Sequence, residues 1–254
     1  MIRYHRLSSD EQKVLCHKGT EPPNTGEYCD LFLEGVYLCR RCDAPLFLSS
    51  DKFPSTCGWP SFDDEISGSI ISQADNQRTE ILCRRCSAHL GHVFVGEMRT
   101  EKNIRYCVNS LSLRFLPLTC DGMERCFVAG GCFWGVQRSM KKCPDVVRTE
   151  VGYIGGTVVE PTYEEVCSGE TSHTEAVEIF FKLGSFENVL TCFLETLEPS
   201  QEEVKRQYRL AIFYLSAEQE SIANQLVQKR GLKIDITPAS FFYTAEESHQ
   251  DYYS

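Results

Sequence analysis

Two copies of one short cysteine motif constrain the first half of this chain more than any other feature. The sequence Cys39-Arg-Arg-Cys42 recurs as Cys83-Arg-Arg-Cys86, roughly forty residues later. Two pairs with this spacing can close a tetrahedron of thiolates around one zinc ion, because each turn supplies two ligands. A closed four-sulfur site leaves no coordination position open, so the zinc would be structural. The alternatives are two redox dithiols or cysteines that only pack; two such motifs in one small domain favour zinc.

Composition indicates which classes of binding partner and which cellular compartment this protein can have. The chain has 14 cysteines among 254 residues and a formal net charge of -10. A negative balance argues against a nucleic acid partner, which needs a basic face. No run of about 18 apolar residues is present, so no membrane span is expected, and residues 1–6 lack the apolar core of a secretory signal. We therefore expect the thiols to serve metal binding or catalysis in a cytoplasmic protein.

Two further cysteine motifs lie close together in the middle of the chain. They are Arg105-Tyr-Cys107-Val-Asn109 and Gly130-Gly-Cys132-Phe-Trp134, and a turn-rich stretch separates them. A chain of this length can form two modest domains, each with its own core. We therefore predict an N-terminal domain over residues 1–118, a short linker at 119–123 and a C-terminal domain over 124–254. Each domain is predicted to hold one nucleophilic thiol.

Three pieces of the first half distinguish an enzyme from a zinc-binding interaction module. They are Cys57-Gly-Trp59-Pro-Ser-Phe62, His89-Leu-Gly-His92 and the motif around Cys107. Taken singly, each has an ordinary structural explanation: a core tryptophan, satisfied histidines or a buried thiol. Together, in this order and with the paired cysteines, they resemble the B-type methionine sulfoxide reductases over nearly the whole of residues 1–118.

This resemblance implies a fold, a reaction and a set of roles. The fold is a mainly-β domain of twisted antiparallel sheets, stabilised by zinc on Cys39, Cys42, Cys83 and Cys86. Cys107 supplies the thiolate that attacks the sulfoxide sulfur, and Cys57 resolves the resulting sulfenic acid as a disulfide. The other implied roles are binding and protonation of the oxygen by His89, His92 and Asn109, contact with the methyl group by Trp59, and support of the thiolate by Arg105.

One departure from the family pattern concerns the two histidines. Many members carry an aspartate four residues after the second histidine, where this chain has Gly96 followed by Glu97. We therefore expect the imidazoles to be oriented by Glu97 or by water.

The second half opens on a strand that runs into a glycine pair. The apolar residues 127–129 predict the strand, and the residues after Cys132 predict a helix that stops before Pro144. Cys132 would then lie at a helix N-terminus, where the macrodipole and free N–H groups favour a thiolate. Alone, such a turn would only place a buried cysteine in a tight connection.

The rest of this half supplies further motifs and a regular order of elements. The motifs are Gly152-Tyr-Ile-Gly-Gly156, Pro161-Thr-Tyr163-Glu-Glu-Val-Cys167 and Ser172-His-Thr-Glu175. Alternating residues after Glu175 predict a strand covered on at least one face. Further predicted elements are an amphipathic helix at 185–198, a strand at 208–215 and a helix capped by Ser216 and Gly231.

This series resembles the A-type methionine sulfoxide reductases from about Met123 to the end. The resemblance implies a two-layer α/β sandwich with Cys132 as nucleophile and Glu175 as general acid, whose pKa burial would raise. It implies a methyl pocket of Phe133 and Trp134, and hydrogen bonds to the oxygen from Tyr163 and Tyr208. Two departures stand out: residues 199–207 are shorter than the family's glycine-rich stretch, in which Glu203 would replace an aspartate, and no cysteine follows Cys192.

The predicted protein is a bifunctional peptide-methionine sulfoxide reductase. The N-terminal half reduces the R epimer and the C-terminal half the S epimer, in oxidised proteins or free methionine sulfoxide, and a thioredoxin-like protein or another thiol is the reductant. No organic cofactor is expected. We expect an external thiol to react with the sulfenic acid of Cys132. Cys167 is the nearest internal cysteine that could form a disulfide with Cys132, but its position is more typical of a core thiol. The alternatives are a zinc-knuckle interaction protein, or an enzyme in which only the B half is active and the A half is a structural appendage.

Overall fold

The computed structural model describes residues 3–197 and 205–253, which form two compact units. The first unit is Arg3–Leu116, and the second extends from Pro117 to the C-terminus. None of the helices in these described residues is long and apolar enough to cross a bilayer.

The first unit contains one short helix and two sheets. Its elements are α1 (Ser9–Leu15), β1 (Gly35–Cys39), β2 (Pro45–Leu48), β3 (Ser61–Phe62), β4 (Ile70–Asp75), β5 (Arg78–Cys83), β6 (His89–Val95), β7 (Ile104–Val108) and β8 (Leu113–Pro117). One sheet has the order β2-β1-β8 and the other β3-β7-β6-β5-β4. Every pairing in the larger sheet is antiparallel. The predicted mainly-β N-terminal fold is confirmed.

The register of the larger sheet positions the reactive residues of this unit. Cys107 on β7 lies opposite His92 on β6 and Ser61 on β3. On the other side of β6, His92 lies opposite Glu80 of β5. Residues distant in sequence thus meet along one line across the strands.

The second unit is a seven-stranded sheet with helices. Its elements are β9 (Thr119–Cys120), β10 (Met123–Gly130), α2 (Phe133–Met140), β11 (Val146–Ile154), α3 (Tyr163–Cys167), β12 (Thr174–Phe181), α4 (Phe186–Thr196), β13 (Leu210–Tyr214), α5 (Ala217–Arg230), β14 (Asp235–Pro238) and β15 (Tyr243–Thr244). The order is β14-β13-β10-β12-β11-β15, with β9 beside β10; β13 and β14 pair in parallel, and their neighbours pair antiparallel. The predicted α/β fold of this half is confirmed.

The core of this unit lies between the sheet and its three longer helices. Helix α4 contacts both α2 and α5. Its apolar face, which includes Val189, Leu190 and Phe193, is fully buried, as the helical spacing predicted. Strand β12 is buried along its whole length, so both of its faces are covered, in agreement with the prediction of at least one.

The segment predicted as a linker is part of a hairpin. Thr119 and Cys120 pair with Glu124 and Met123, and Asp121 with Gly122 forms the turn between the two strands. Gly122 has a φ of 75°, in the left-handed region that such a turn requires.

Candidate functional site

The four paired cysteines of the first unit form one buried cluster. Their sulfurs all lie within 4.8 Å of one another. Cys39 Sγ lies 3.6 Å from Cys86 Sγ, and Cys42 Sγ lies 3.6 Å from Cys83 Sγ. Zinc–sulfur bonds of about 2.3 Å in a tetrahedron place sulfurs about 3.8 Å apart, so the cluster fits a structural zinc ion.

A common turn geometry brings these cysteines together. The residue after the second cysteine of each motif, Asp43 or Ser87, has a left-handed φ of 55° or 57°. Its N–H donates to the carbonyl of the first cysteine of its motif, at 2.9 Å for Asp43 and 2.8 Å for Ser87. Each motif therefore folds back on itself, and its two sulfurs can point to one centre.

A second pair of thiols consists of Cys107 on β7 of the larger sheet and Cys57 in the loop before β3. Cys57 Sγ lies 3.9 Å from Cys107 Sγ, although fifty positions separate them in the sequence. The hydrogen bond between the two thiols lowers the pKa of Cys57 and raises the pKa of Cys107, because two thiolates this close repel each other. One of the two thiols therefore loses its proton readily and the other does not. The nearby guanidinium of Arg105 opposes the rise in the pKa of Cys107 but does not cancel it.

Both histidines of the predicted site are oriented by carboxylates. His89 Nδ1 lies 2.7 Å from Glu80 Oε1, and His92 Nε2 lies 2.8 Å from Asp75 Oδ2. Lys18 Nζ also donates to Glu80 at 2.7 Å. Burial lowers the pKa of His89, and the hydrogen bond with Glu80 opposes that shift.

The expectation that Glu97 orients the histidines is wrong. The Glu97 carboxylate instead accepts hydrogen bonds from Arg105, at 2.6 Å from Nε and 3.0 Å from Nη2. Strand order explains the difference, because β5, which carries Glu80, pairs with β6, and β4, which carries Asp75, lies next to β5.

A cavity of about 110 Å³ lies beside the Cys107 thiol. Its lining includes four of the predicted site residues, Trp59, His92, Cys107 and Asn109. Trp59 Nε1 donates to the Glu21 carbonyl at 3.1 Å, which fixes the indole. Asn109 accepts from the Glu21 N–H and donates to the Leu90 carbonyl, both at 3.0 Å, so one of its amide hydrogens remains for a ligand.

Cys132 and Glu175 meet at the start of α2 in the second unit. Cys132 is the N-cap residue of this helix, as predicted. The Phe133 N–H donates to Glu175 Oε2 at 3.2 Å, and the Glu175 side chain is 1% exposed. Burial raises the pKa of Glu175 to about 7, as expected for a carboxyl that acts as an acid.

The ionisation of Cys132 differs from the sequence expectation. Burial raises the pKa of its thiol, and the charge of Glu175 raises it further. The N–H groups of Trp134 and Gly135 lower it, as the helix N-terminus predicted, but the net shift is upward. Desolvation therefore outweighs the helix terminus in the free protein.

The two predicted tyrosines lie beside Glu175. Burial and the charge of Glu175 raise the pKa of Tyr208, and a charge on Cys132 acts in the same direction. A hydrogen bond with Cys167 raises the pKa of Tyr163, and burial and Glu175 add to the shift. Cys167 is exposed, and Gln207 Nε2 lies 3.7 Å from its sulfur, so the prediction of a core thiol is wrong.

Aromatic rings cluster around the first turn of α2, which begins directly after Cys132. Phe133 is buried, with its ring centroid 6.0 Å from that of Tyr153. Trp134 stacks on Tyr252 with centroids 3.7 Å apart and an interplanar angle of 7°. His249 lies against both Trp134 and Tyr163, at 5.7 Å and 4.5 Å.

Sequence reasoning missed several residues that hold these sites in place. They are Asp75, Glu80, Gln207, His249 and Tyr252, and each acts through a partner distant in the sequence. These pairs form only because strands pair in a particular register or because a later segment of the chain packs on an earlier one. No local sequence pattern therefore predicts them. The predicted substitute Glu203 lies outside the described residues.

Comparison with known proteins assigns each unit to a family. A family model described as "SelR domain" matches residues 7–117, and one described as "Peptide methionine sulfoxide reductase" matches residues 124–254. The second match covers about half of the chain.

Similar proteins include plant enzymes and a bacterial structure. The chain is 50% identical over 118 residues to "Peptide methionine sulfoxide reductase B3, chloroplastic" of Oryza sativa, with 45% of this chain and 52% of that protein covered. It is 46% identical over 114 residues to "Peptide methionine sulfoxide reductase B5" of the same species, with 44% of this chain and 84% of that protein covered. The chain thus spans about half the length of the first of these relatives. The structure "Methionine sulfoxide reductase A of Corynebacterium diphtheriae" is 30% identical, with a TM-score of 0.46, and 52% of this chain and 74% of that chain are covered.

Proposed function

Because the chain belongs to the peptide methionine sulfoxide reductases, we propose that it reduces both epimers of methionine sulfoxide. The domain of residues 1–118 acts on the R epimer and that of residues 124–254 on the S epimer, joined at 119–123. Oxidised proteins and free methionine sulfoxide are the substrate class. The close pair of Cys57 and Cys107 sulfurs, 3.9 Å apart, is the observation that carries this proposal most directly.

In the first domain the Cys107 thiolate attacks the sulfoxide sulfur. The proton of the shared thiol pair moves to Cys57, which frees the Cys107 sulfur as the nucleophile. The sulfoxide oxygen takes a proton from the histidine site, His89 and His92, and accepts a hydrogen bond from Asn109. Trp59 contacts the methyl group. Methionine leaves, and Cys107 keeps the oxygen as a sulfenic acid.

Cys57 then resolves this sulfenic acid. Its thiolate attacks the Cys107 sulfur, a sulfur–sulfur bond forms, and the sulfenic oxygen leaves as water after protonation. The two sulfurs are already in contact, so the disulfide needs only a small movement of side chains. Arg105 stabilises the negative charge on this pair for as long as one of the two sulfurs is ionised.

In the second domain Cys132 attacks and Glu175 supplies the proton. With a pKa of about 7, Glu175 is protonated in a large fraction of molecules at neutral pH. Tyr163 and Tyr208 donate hydrogen bonds to the sulfoxide oxygen, and Phe133 with Trp134 holds the methyl group. The N–H groups of Trp134 and Gly135 stabilise the Cys132 thiolate when it forms.

A structural zinc ion, a thiol reductant and a cytoplasmic location complete the proposed function. Zinc on Cys39, Cys42, Cys83 and Cys86 is structural and takes no part in the reaction, since four sulfurs leave it no open position. A thioredoxin-like protein or another thiol returns both sites to the reduced form, and an external thiol takes the sulfenic acid of Cys132. A cytoplasmic location suits this chemistry, because it supplies reduced thiols.

Assays with the purified R and S epimers of methionine sulfoxide test which domain reduces which epimer. We expect Cys107→Ser to abolish reduction of the R-sulfoxide alone and Cys132→Ser to abolish reduction of the S-sulfoxide alone, since each half needs its own thiolate. Methionine formation is measured for each epimer with dithiothreitol as reductant. Loss of both activities in one folded variant would contradict the proposal. Activity of the wild type on the R epimer alone would favour the alternative in which the A half is a structural appendage.

A further inference from the structure

A third thiol of the first unit lies against the loop that carries Cys57. Cys29 Sγ donates a hydrogen bond to the Gly58 carbonyl at 3.3 Å. Cys57 Sγ donates to the next carbonyl of the same loop, that of Trp59, also at 3.3 Å. The two sulfurs are therefore held by adjacent carbonyl groups of one turn.

Gly58 allows this close approach. Its φ is 95°, and a Cβ at this position would lie 2.6 Å from Pro23 Cβ and 3.1 Å from Pro23 Cα. The Asn24 N–H also donates to the Gly58 carbonyl at 2.8 Å. The segment that leads to Cys29 is thus packed on the Cys57 turn, and a side chain at position 58 would push the two apart.

The surroundings of Cys29 include a buried cation. Lys52 is 8% exposed, and its Nζ donates to the Cys29 carbonyl at 2.9 Å. Burial raises the pKa of Cys29, and the charges of Glu21 and Asp30 add to that shift, whereas the Gly26 backbone and the charge of Lys52 oppose it. A neighbouring ammonium group stabilises a thiolate at the moment of attack.

Cys29 also borders an exposed apolar surface. Phe32 and Leu33 follow it closely in the chain and are 52% and 58% exposed. Adjacent exposed apolar side chains suit contact with another protein. A disulfide that involves Cys29 would lie beside a surface on which a protein reductant can dock.

We propose that Cys29 is a relay thiol that takes over the disulfide formed between Cys57 and Cys107. The Cys29 thiolate attacks Cys57 Sγ, a Cys29–Cys57 bond forms, and the Cys57–Cys107 bond breaks with Cys107 leaving as a thiolate. The number of disulfides and electrons is unchanged, and the proton of Cys29 passes to solvent. Cys107 is then free for a second sulfoxide before any reductant arrives. The relay rests on the proposed reaction at Cys107.

The number of methionines made without reductant tests the relay. The full chain with Cys132→Ser is reduced, desalted and given excess R-sulfoxide with no reductant present. We expect about two methionines per chain: one from the turnover that ends in the relayed disulfide, and one that leaves a sulfenic acid on Cys107. Adding Cys29→Ser should lower this to about one, whereas adding Cys16→Ser, an exposed cysteine elsewhere in the unit, should leave about two.

Peptide mass mapping of the same samples identifies the disulfide directly. A Cys29–Cys57 disulfide in the Cys132→Ser protein supports the relay. One methionine with only a Cys57–Cys107 disulfide overturns the relay and leaves the proposed function standing, as do two methionines that persist after Cys29→Ser. If the reduced Cys132→Ser protein forms no methionine, the proposed function of the first domain fails as well. The single methionine expected from the Cys29→Ser protein shows that this variant is folded.

Discussion

At the scale of single residues, two buried carboxylates have opposite tasks. Glu175 is 1% exposed, and burial raises its pKa to about 7. Glu80 accepts hydrogen bonds from Lys18 and Gln73 and contacts His89, and these partners lower its pKa. Glu175 can therefore give a proton at neutral pH, whereas Glu80 stays ionised and orients a neighbour.

Replacing the acid should remove one pH dependence of S-sulfoxide reduction. Glu175→Gln should lower kcat about 100-fold or more at pH 6, because the proton donor is lost. The rate ratio of wild type to variant should fall as pH rises through about 7, since the wild-type acid loses its proton there. The measurement is the pH profile of both proteins in a Cys107→Ser background. Glu164→Gln, an exposed carboxylate nearby, is the matched control; a constant ratio across this range would contradict the assignment.

Glu80 should act through the titration of His89. The carboxylate raises the pKa of His89 against burial, so Glu80→Gln should lower that pKa and reduce the protonated fraction near pH 7. We expect the histidine-dependent limb of the R-sulfoxide profile to move to lower pH, with activity on that limb falling about tenfold for every pH unit that it moves. Glu97→Gln serves as control, because Glu97 bonds Arg105 and not the histidine. A limb that moves only in Glu97→Gln would refute this role.

At the scale of elements, the start of α2 is covered by a later part of the chain. Trp134 follows the N-cap residue Cys132, and one face of its indole stacks on Tyr252. The short helical turn Glu247–His249 brings His249 onto Trp134 and Tyr163. The Tyr153 hydroxyl and the Tyr163 backbone N–H both donate hydrogen bonds to the carboxylate of Glu246, which lies just before this turn. This aromatic cluster is thus assembled from elements distant in sequence.

Loss of the stacking ring should weaken the pocket. Tyr252→Ala should reduce kcat/KM for S-sulfoxide by roughly threefold to tenfold, because an aromatic pair contributes about 0.5–1.5 kcal/mol. Tyr252→Phe keeps the ring and should retain the wild-type value. Steady-state kinetics on the S epimer measure the effect. Equal losses in both variants would assign the effect to the hydroxyl and not to stacking.

At the scale of the whole molecule, the two units differ in how they are stabilised. The first has two small sheets and the four-cysteine cluster, with its apolar core around residues such as Phe47 and Phe62. The second has a larger sheet, and its core includes side chains of the three longer helices. Loss of metal should therefore affect the first unit and spare the second.

A single ligand substitution tests this difference. Cys83→Ser should release about one zinc per chain and unfold the first unit, because structural zinc contributes about 10 kcal/mol or more to folding. R-sulfoxide reduction should disappear while S-sulfoxide reduction persists. Elemental analysis, circular dichroism and the two epimer assays provide the readouts, with Cys16→Ser as the control. Wild-type protein purified without chelator that contains no zinc would contradict the assignment.

The sequence alone determined the features that depend on short spacing. The paired cysteine motifs predicted the cluster at Cys39 and Cys83, and the glycine pair predicted Cys132 at a helix N-terminus. The strand after Glu175 and the helix around Phe193 followed from their periodicity. Such features are set by turn geometry and hydrogen bonds between residues a few positions apart, which a sequence displays directly.

Tertiary structure alone decided which side chains support the reactive groups. The arrangement of the strands places Asp75 and Glu80 within hydrogen-bond distance of the two histidines. Glu97 instead accepts a hydrogen bond from Arg105. The packing of a loop placed Cys29 against the turn of Cys57. The balance of burial against the helix terminus raised the pKa of Cys132, where the local motif predicted the opposite. Register, loop packing and desolvation depend on contacts between distant parts of the chain, and no local pattern encodes them.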